Sequence, residues 1–352
     1  MTAGTGRDPL RSRIPVTVIT GFLGSGKTTL LNSLLAQPAA ANTAVIVNEF
    51  GEVGVDNELV RGSSESVTLL DNGCICCAMR TDLQQTLRDL FLARRAGEVT
   101  SFERVMLETT GLADPAPVMQ TLITDPALAE NFRLDGVVTL VDGVQGHAQL
   151  AGMPEAVKQA AVADRIVITK ADLADAASIE ALAQELRKIN PTAQQTIARD
   201  GAVAPEFVLG VGLDRAYVQA EAVERWLGPA QDAHAEHPHT HGITTFTLWF
   251  ERPFGRDVFG HCVELLTSLR GQDLLRVKGL VNVAGEPGPV VIQGVQHLFH
   301  PPVTLAAWPS AERRSRLVFI TRGITRDTIA GLFAAVAAIG TAPPARQQND
   351  KP

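Results

Sequence analysis

Gly21-Phe22-Leu23-Gly24-Ser25-Gly26-Lys27-Thr28 fits the pattern G-x-x-x-x-G-K-[ST]. The chemistry of that spacing is phosphate binding. Gly21, Gly24 and Gly26 let the backbone curl until successive N–H groups face phosphate oxygens together with the N-terminus of the next helix, and Ser25 between them is a further nucleotide-binding candidate. Lys27 then reaches the β- and γ-phosphates, the Thr28 hydroxyl sits on Mg²⁺, and Thr29 follows at the start of the helix. The flanks agree: residues 16–19 read as a buried strand and residues 29–37 as an apolar helix.

Two later segments extend the same chemistry. Residues 104–111 read as a strand ending in Glu108, with Gly111 three positions on. An acid there holds Mg²⁺ through water, and the glycine N–H meets the γ-phosphate. Glutamate stands where aspartate is more usual. Residues 165–168 form another buried strand running into Thr169-Lys170-Ala171-Asp172. The Asp172 carboxylate can accept two hydrogen bonds from guanine N1 and N2, a donor pair that adenine lacks, while the Lys170 stem covers the base. Thr169 replaces the commoner asparagine. The triphosphate so described is GTP.

A different chemistry is concentrated in Cys74-Ile75-Cys76-Cys77, just after the turn Asp71-Asn72-Gly73. Thiolates at C-x-C-C spacing can converge on one borderline ion, and Zn²⁺ or Co²⁺ accepts them with a histidine or carboxylate completing a tetrahedron. Three of the four cysteines in four positions make poor core patterning and a poor disulfide framework. Their expected place is a loop between a strand at 67–70 and a helix at 81–95. Cys262, in an amphipathic helix, reads as core. Glu49, Glu52 and Asp56 lie in a glycine-containing loop after a strand at 43–47 and are candidates for positioning water or metal.

These residues need a scaffold. The 352-residue chain is too long for one ordinary core and suits two domains. Its composition, 45% hydrophobic and 20% charged, is that of a folded globular protein. A net charge of −7 argues against a general nucleic-acid footprint. The longest apolar run, residues 329–340, is too short to span a bilayer, and residues 1–13 lack a secretory core, so a cytoplasmic protein is expected. Strands and helices alternate to about Trp226, giving an α/β, mostly parallel sheet with helices on both faces. The expected division is a disordered leader at 1–13, a phosphate-loop GTPase domain at 14–230, a linker at 231–242, a smaller α+β domain at 243–340 and a disordered tail at 341–352. The linker carries four of the eight histidines and is metal-competent. In the second domain, strands are expected at 243–250, 274–283, 290–297, 303–308 and 316–321, and helices at 256–269 and 325–339.

The constellation resembles the CobW family of GTP-dependent metallochaperones, relatives of the urease and hydrogenase maturation GTPases. The matching segments are residues 21–28, 48–56, 74–77, 108–111 and 169–172, joined in the second domain by Arg276-Val277-Lys278-Gly279 and Gln293-Gly294-Val295-Gln296-His297. The likeness runs over about residues 14–339. It implies that GTP binding creates a tight metal site at the cysteine motif and that hydrolysis releases the ion to a client metalloprotein or metal-inserting enzyme. Neither nucleic acid nor membrane is an expected partner, and self-association stays open. The competing reading is a regulatory GTPase whose cysteines form a structural zinc clip.

Overall fold

The computed structural model describes residues 13–47, 67–69, 75–78, 83–199, 201–211, 223, 226–228, 236–238 and 242–340. The expected tail, nearly all of the leader and the Glu49–Glu52–Asp56 loop lie outside these residues. Two compact units divide within residues 231–246.

The first unit is built on an eight-stranded sheet of order β3-β4-β2-β5-β1-β6-β7-β8. Its strands are β1 (Ile14–Gly21), β2 (Thr43–Val47), β3 (Val67–Leu69), β4 (Ile75–Ala78), β5 (Arg104–Glu108), β6 (Phe132–Asp142), β7 (Arg165–Thr169) and β8 (Gln194–Ile197). All neighbours run parallel except β3, which is antiparallel to β4. The helices are α1 (Lys27–Leu35), α2 (Leu83–Ala96), α3 (Ala116–Thr124), α4 (Pro126–Asn131), α5 (Gly146–Gly152), α6 (Pro154–Val162), α7 (Ala176–Ile189) and the single turn α8 (Pro205–Val208). Strand β1 is buried at every position but Pro15, as a strand covered on both faces must be. Leu30, Leu31 and Leu34 of α1 pack on Ile19, Met106, Val138 and Val167 of the sheet. Full burial of one such leucine contributes roughly 1.5–3 kcal/mol. From β1 the chain first builds outward through β2 and later returns on its other side through β6. The loop after β1 therefore opens at the carboxyl end of the sheet where strand order reverses, the crevice in which α/β proteins bind ligands.

One placement differs from expectation. Cys76 and Cys77 belong to strand β4 rather than a loop, in register with Val45 and Ile46 of β2. Flanked by β2 and β3, the backbone of this short segment finds hydrogen-bonding neighbours on both sides, a non-local pairing that its local pattern does not reveal.

The second unit, together with residues 237–245 that cluster with the first, contributes β9 (Glu236–Pro238), β10 (Ile243–Phe250), β11 (Leu274–Val281), β12 (Val290–Val295), β13 (Leu298–Phe299), β14 (Val303–Thr304) and β15 (Ser315–Arg322), with helices α9 (Arg256–Arg270) and α10 (Arg326–Gly340). Its sheet has the order β13-β12-β11-β15-β10-β9, and β14 pairs with β12. β11 is antiparallel to both β12 and β15. Phe246 stacks on Phe319 at 5.5 Å, and Cys262, Leu266, Ile329 and Phe333 of the two helices join that core. Burial pushes the Cys262 thiol up to about 11, in keeping with a packing role. The strand expected at 303–308 is only two residues long, in a stretch bounded by Pro301, Pro302 and Pro309, which cannot donate to a ladder. Within the histidine-bearing stretch expected to be a linker, Glu236–Pro238 forms a strand beside β10.

Candidate functional site

The phosphate loop turns through left-handed backbone at Gly24 and Gly26, φ 73° and 86°. Gly21, at φ 146°, has no room for a side chain: a Cβ there would lie 2.6 Å from Ser25 Oγ. Helix α1 begins at Lys27 with Gly26 as its cap and no capping side chain, which leaves its first amides to meet an anion. Ser25 is fully buried, and Thr28 and Thr29 are exposed. Lys27 is largely buried. Its Nζ donates to Gly21 O at 2.9 Å and Phe22 O at 3.3 Å. Burial pulls the Lys27 pKa down, and the nearby Glu108 carboxylate opposes that shift.

Glu108 ends β5 beside the loop, and Thr28 Oγ1 donates to Glu108 Oε1 at 3.2 Å. A hydroxyl and a carboxylate of two different motifs thus converge, and hard oxygen donors are what Mg²⁺ takes from protein. These residues fit the ion. Gly111 is buried directly against the phosphate loop, where a Cβ would come 2.8 Å from both N and Cα of Leu23. Glycine is required there by the close backbone approach. Thr109 N donates to Ile19 O at 2.9 Å and Thr109 Oγ1 to Thr20 Oγ1 at 2.8 Å, fastening the turn after β5 to β1.

At the other end of the cleft, Thr169 Oγ1 donates to Ser25 O at 2.8 Å. The threonine therefore ties the Thr169–Asp172 segment to the phosphate loop. Lys170 takes left-handed backbone, φ 53°, and its Nζ pairs with Asp142 Oδ2 at 2.6 Å. Asp142 Oδ1 accepts from Val144 N and Gln145 N at 2.8 and 3.1 Å. Burial would raise the Asp142 pKa, but Lys170 and the two amides outweigh it and hold the carboxyl below its usual range. Asp172 is exposed on a single turn, Ala171–Leu173, open to a ligand. After β8, Gly201 packs against α1: a Cβ there would meet Thr29 Cγ2 at 2.9 Å.

The cysteine strand lies on the same side of the sheet order as β5. Ala78, Val47 and Glu108 occupy one row across β4, β2 and β5, so Cys77 precedes by one residue the row that carries Glu108. Cys74, Glu49, Glu52 and Asp56 lie outside the described residues. In the second unit, the two segments carrying the family likeness are neighbours, with Lys278 opposite Gln293 and Val277 opposite Gly294. Arg276 and Lys278 are 2% and 1% exposed.

Asp142 and Gln159 were not singled out in the sequence. The one readable sign of Asp142 is its position at the end of a buried strand; Gln159, inside an apolar helix, gives only an isolated polar residue.

Residues 15–196 match the model of the CobW/HypB/UreG nucleotide-binding domain, and residues 243–337 that of the cobalamin synthesis protein cobW C-terminal domain. The chain is 33% identical to the zinc chaperone YjiA of Escherichia coli over 92% of its own length and 98% of that protein. It is 29% identical to the zinc chaperone CobW of a Sinorhizobium species, over 94% and 98% of the two. The crystal structure of the Zn(II)-bound YjiA GTPase superposes with a TM-score of 0.71 at 31% identity, covering 92% of this chain and 99% of that one. The parallel sheet with its phosphate loop and the antiparallel second sheet accord with these matches, and the chain belongs to the CobW/HypB/UreG family of P-loop GTPases.

Proposed function

We propose that the chain is a GTP-dependent metal chaperone that takes Zn²⁺ or Co²⁺ at Cys74, Cys76 and Cys77 and passes it to a client metalloprotein when GTP is hydrolysed. In this reading Lys27 binds the β- and γ-phosphates, the Gly111 N–H meets the γ-phosphate, and Asp172 reads guanine beside Lys170. Thr28 and Glu108 would hold Mg²⁺, which supplies charge neutralisation at the phosphates. Gly21, Gly24, Ser25, Gly26 and Thr29 shape the cradle, while Glu49, Glu52 and Asp56 remain the candidates for positioning water or metal.

The observation that carries the proposal is the shared row of Ala78, Val47 and Glu108. Adjacent strands lie about 4.8 Å apart, so the cysteine strand runs roughly 10 Å from the strand bearing the acid. Ordering of the carboxyl end of β2 around a γ-phosphate would act on the neighbouring β4 through their shared ladder. Zinc chaperones among the relatives, and metalloprotein activators so named in Dictyostelium discoideum and Saccharomyces cerevisiae, support a cargo ion and a protein client.

Placement of Cys76 and Cys77 within a paired strand favours one competing reading, a zinc clip that fastens the sheet in a regulatory GTPase. Metal titration with a slowly hydrolysed GTP analogue, with GDP and without nucleotide separates the two. A chaperone shows metal affinity shifted by GTP, with a coupling of about 1–3 kcal/mol that reappears as the same factor in GTP affinity when metal is bound. Equal metal affinity in all three states is the result expected of a clip.

A further inference from the structure

Gln159 belongs to α6 and is 1% exposed, with no place among the phosphate or base contacts. Its Nε2 donates to Gly111 O at 3.1 Å and to Ala113 O at 3.0 Å. Its backbone carbonyl accepts from Thr139 Oγ1 of β6 at 2.9 Å, anchoring this helix turn to the sheet. The preceding residue acts on the same loop: Lys158 Nζ pairs with Asp114 Oδ2 at 2.6 Å, and Asp114 Oδ1 accepts from Ala116 N at 3.0 Å. One turn of α6 therefore grips both ends of the short segment from Gly111 to Asp114.

The other side of that segment is fixed by contact. Gly111 lies so close to Leu23 that even a methyl group is excluded, so it cannot move further toward the phosphate loop. The Gln159 amide keeps it from moving away. Two carbonyl acceptors dictate which end of the amide faces the loop, and Gln159 Oε1 is left buried with no hydrogen-bond partner among the described residues. An unsatisfied buried carbonyl oxygen detracts from stability, and an apolar side chain of the same volume would avoid that penalty. The holding contact, rather than overall packing, accounts for an amide at this position.

We propose that Gln159 is a positioning residue for GTP hydrolysis, setting the Gly111 N–H at the distance from the phosphate loop at which it meets a γ-phosphate. The proposal rests on the assignment of Gly111 to that phosphate. It makes α6 the element through which the third phosphate is distinguished, because GDP has nothing at that N–H.

The test compares GDP with a slowly hydrolysed GTP analogue on the full chain carrying Gln159→Met, which keeps the volume and removes the donor. A hydrogen bond to a charged group is at stake, so the analogue should bind about tenfold more weakly and kcat should fall at least as far, with GDP affinity unchanged within about twofold. Lys158→Met, which removes a partly buried ion pair to Asp114, should give the same asymmetry at about threefold. If Gln159→Met does not fold, Gln159→Leu, which also removes the donor to Gly111 O, is read by the same two outcomes. Equal losses for GDP and the analogue would reduce Gln159 to a structural residue, and unchanged binding of both in a folded variant would overturn the proposal equally. Gly111→Ala, run in parallel, separates the two levels. If it leaves discrimination between GDP and the analogue intact, the assignment of Gly111 itself fails; if it abolishes discrimination while Gln159→Met does not, only the role of Gln159 fails.

Discussion

In the proposed reading, the two ends of the nucleotide cleft are made of different material. At the phosphate end the shape comes from backbone: left-handed glycines, an uncapped helix start and a Gly111–Leu23 approach that admits no side chain. At the base end it comes from side chains, with Thr169 reaching back to Ser25, Lys170 paired with Asp142, and Asp172 standing exposed. Phosphates are common to all nucleotides and need only a concave surface of amides and one cation. A base must be distinguished by its edge, which requires directed donors and acceptors. Changes at the base end should therefore alter which nucleotide is used, and changes at the phosphate end how well any nucleotide is used.

The sharpest way to break this contrast is Asp172→Asn. Xanthine presents an acceptor where guanine presents a donor, so the variant should prefer xanthosine triphosphate, with a change in preference of about 10⁴ if the paired hydrogen bonds carry the discrimination. Competition binding with GTP, ATP and xanthosine triphosphate reads it directly. Equal competition by ATP in the wild type would remove the base end from the comparison altogether.

Lys27→Ala comes next. It removes a largely buried cation already directed at the loop carbonyls, and kcat should drop by about 10²- to 10³-fold. The order of nucleotide preference should stay as it was. Steady-state turnover with several triphosphates would show whether the loss is uniform, and a selective loss for GTP would mean the two ends are not separable in the way their construction suggests.

What could be read from the sequence follows the same division. The phosphate loop was legible because glycines at positions 21, 24 and 26, with a buried strand before them, leave little freedom in how the backbone runs. The place of Glu108 beside that loop was legible because an apolar run ending in an acid, three residues before a glycine, reads as a buried strand that stops at the carboxyl end of the sheet. The cysteine segment was misplaced because Ile75-Cys76-Cys77-Ala78 becomes a strand through pairing with residues 44–47, a contact no local pattern encodes. Asp142 and Gln159 were missed for a related reason. Each acts on a loop elsewhere in the sequence, Asp142 on Lys170 and Gln159 on Gly111, and neither lies in the motif it supports.

Thr169→Val tests the joint between the two ends. Valine keeps the shape of the side chain but cannot donate to Ser25 O. Loss of one neutral hydrogen bond contributes about 0.5–1.5 kcal/mol, so nucleotide affinity should weaken by roughly 2- to 13-fold. Because the bond connects phosphate loop and base segment, GDP and GTP should weaken together, unlike the asymmetry expected at Gln159. Calorimetric titration of both nucleotides would distinguish these patterns, and a loss confined to GTP would place Thr169 with the γ-phosphate machinery instead.

The smallest effect belongs to the Asp142–Lys170 pair, and its signature is a pH dependence. Burial disfavours the Asp142 carboxylate, yet the Lys170 ammonium and the Val144 and Gln145 amides bind the charged form strongly enough to lower its pKa below the ordinary 3.8. The folded state thus holds this proton less tightly than the unfolded chain does. A group with a depressed folded pKa stabilises the fold fully above its unfolded pKa and loses that contribution as pH falls through the folded value. Relative to Asp142→Asn, the wild type should be more stable by an amount constant from neutral pH down to about pH 4–5, then shrinking below the unfolded pKa. Lys170 is partly exposed, so solvent screening holds the plateau to about 1 kcal/mol. Urea unfolding of both proteins across this range isolates the pair, since every other acid titrates alike in the two. A difference that grew as the solution was acidified would reverse the sign and show that Asp142 is held by burial, with Lys170 free to turn toward the base.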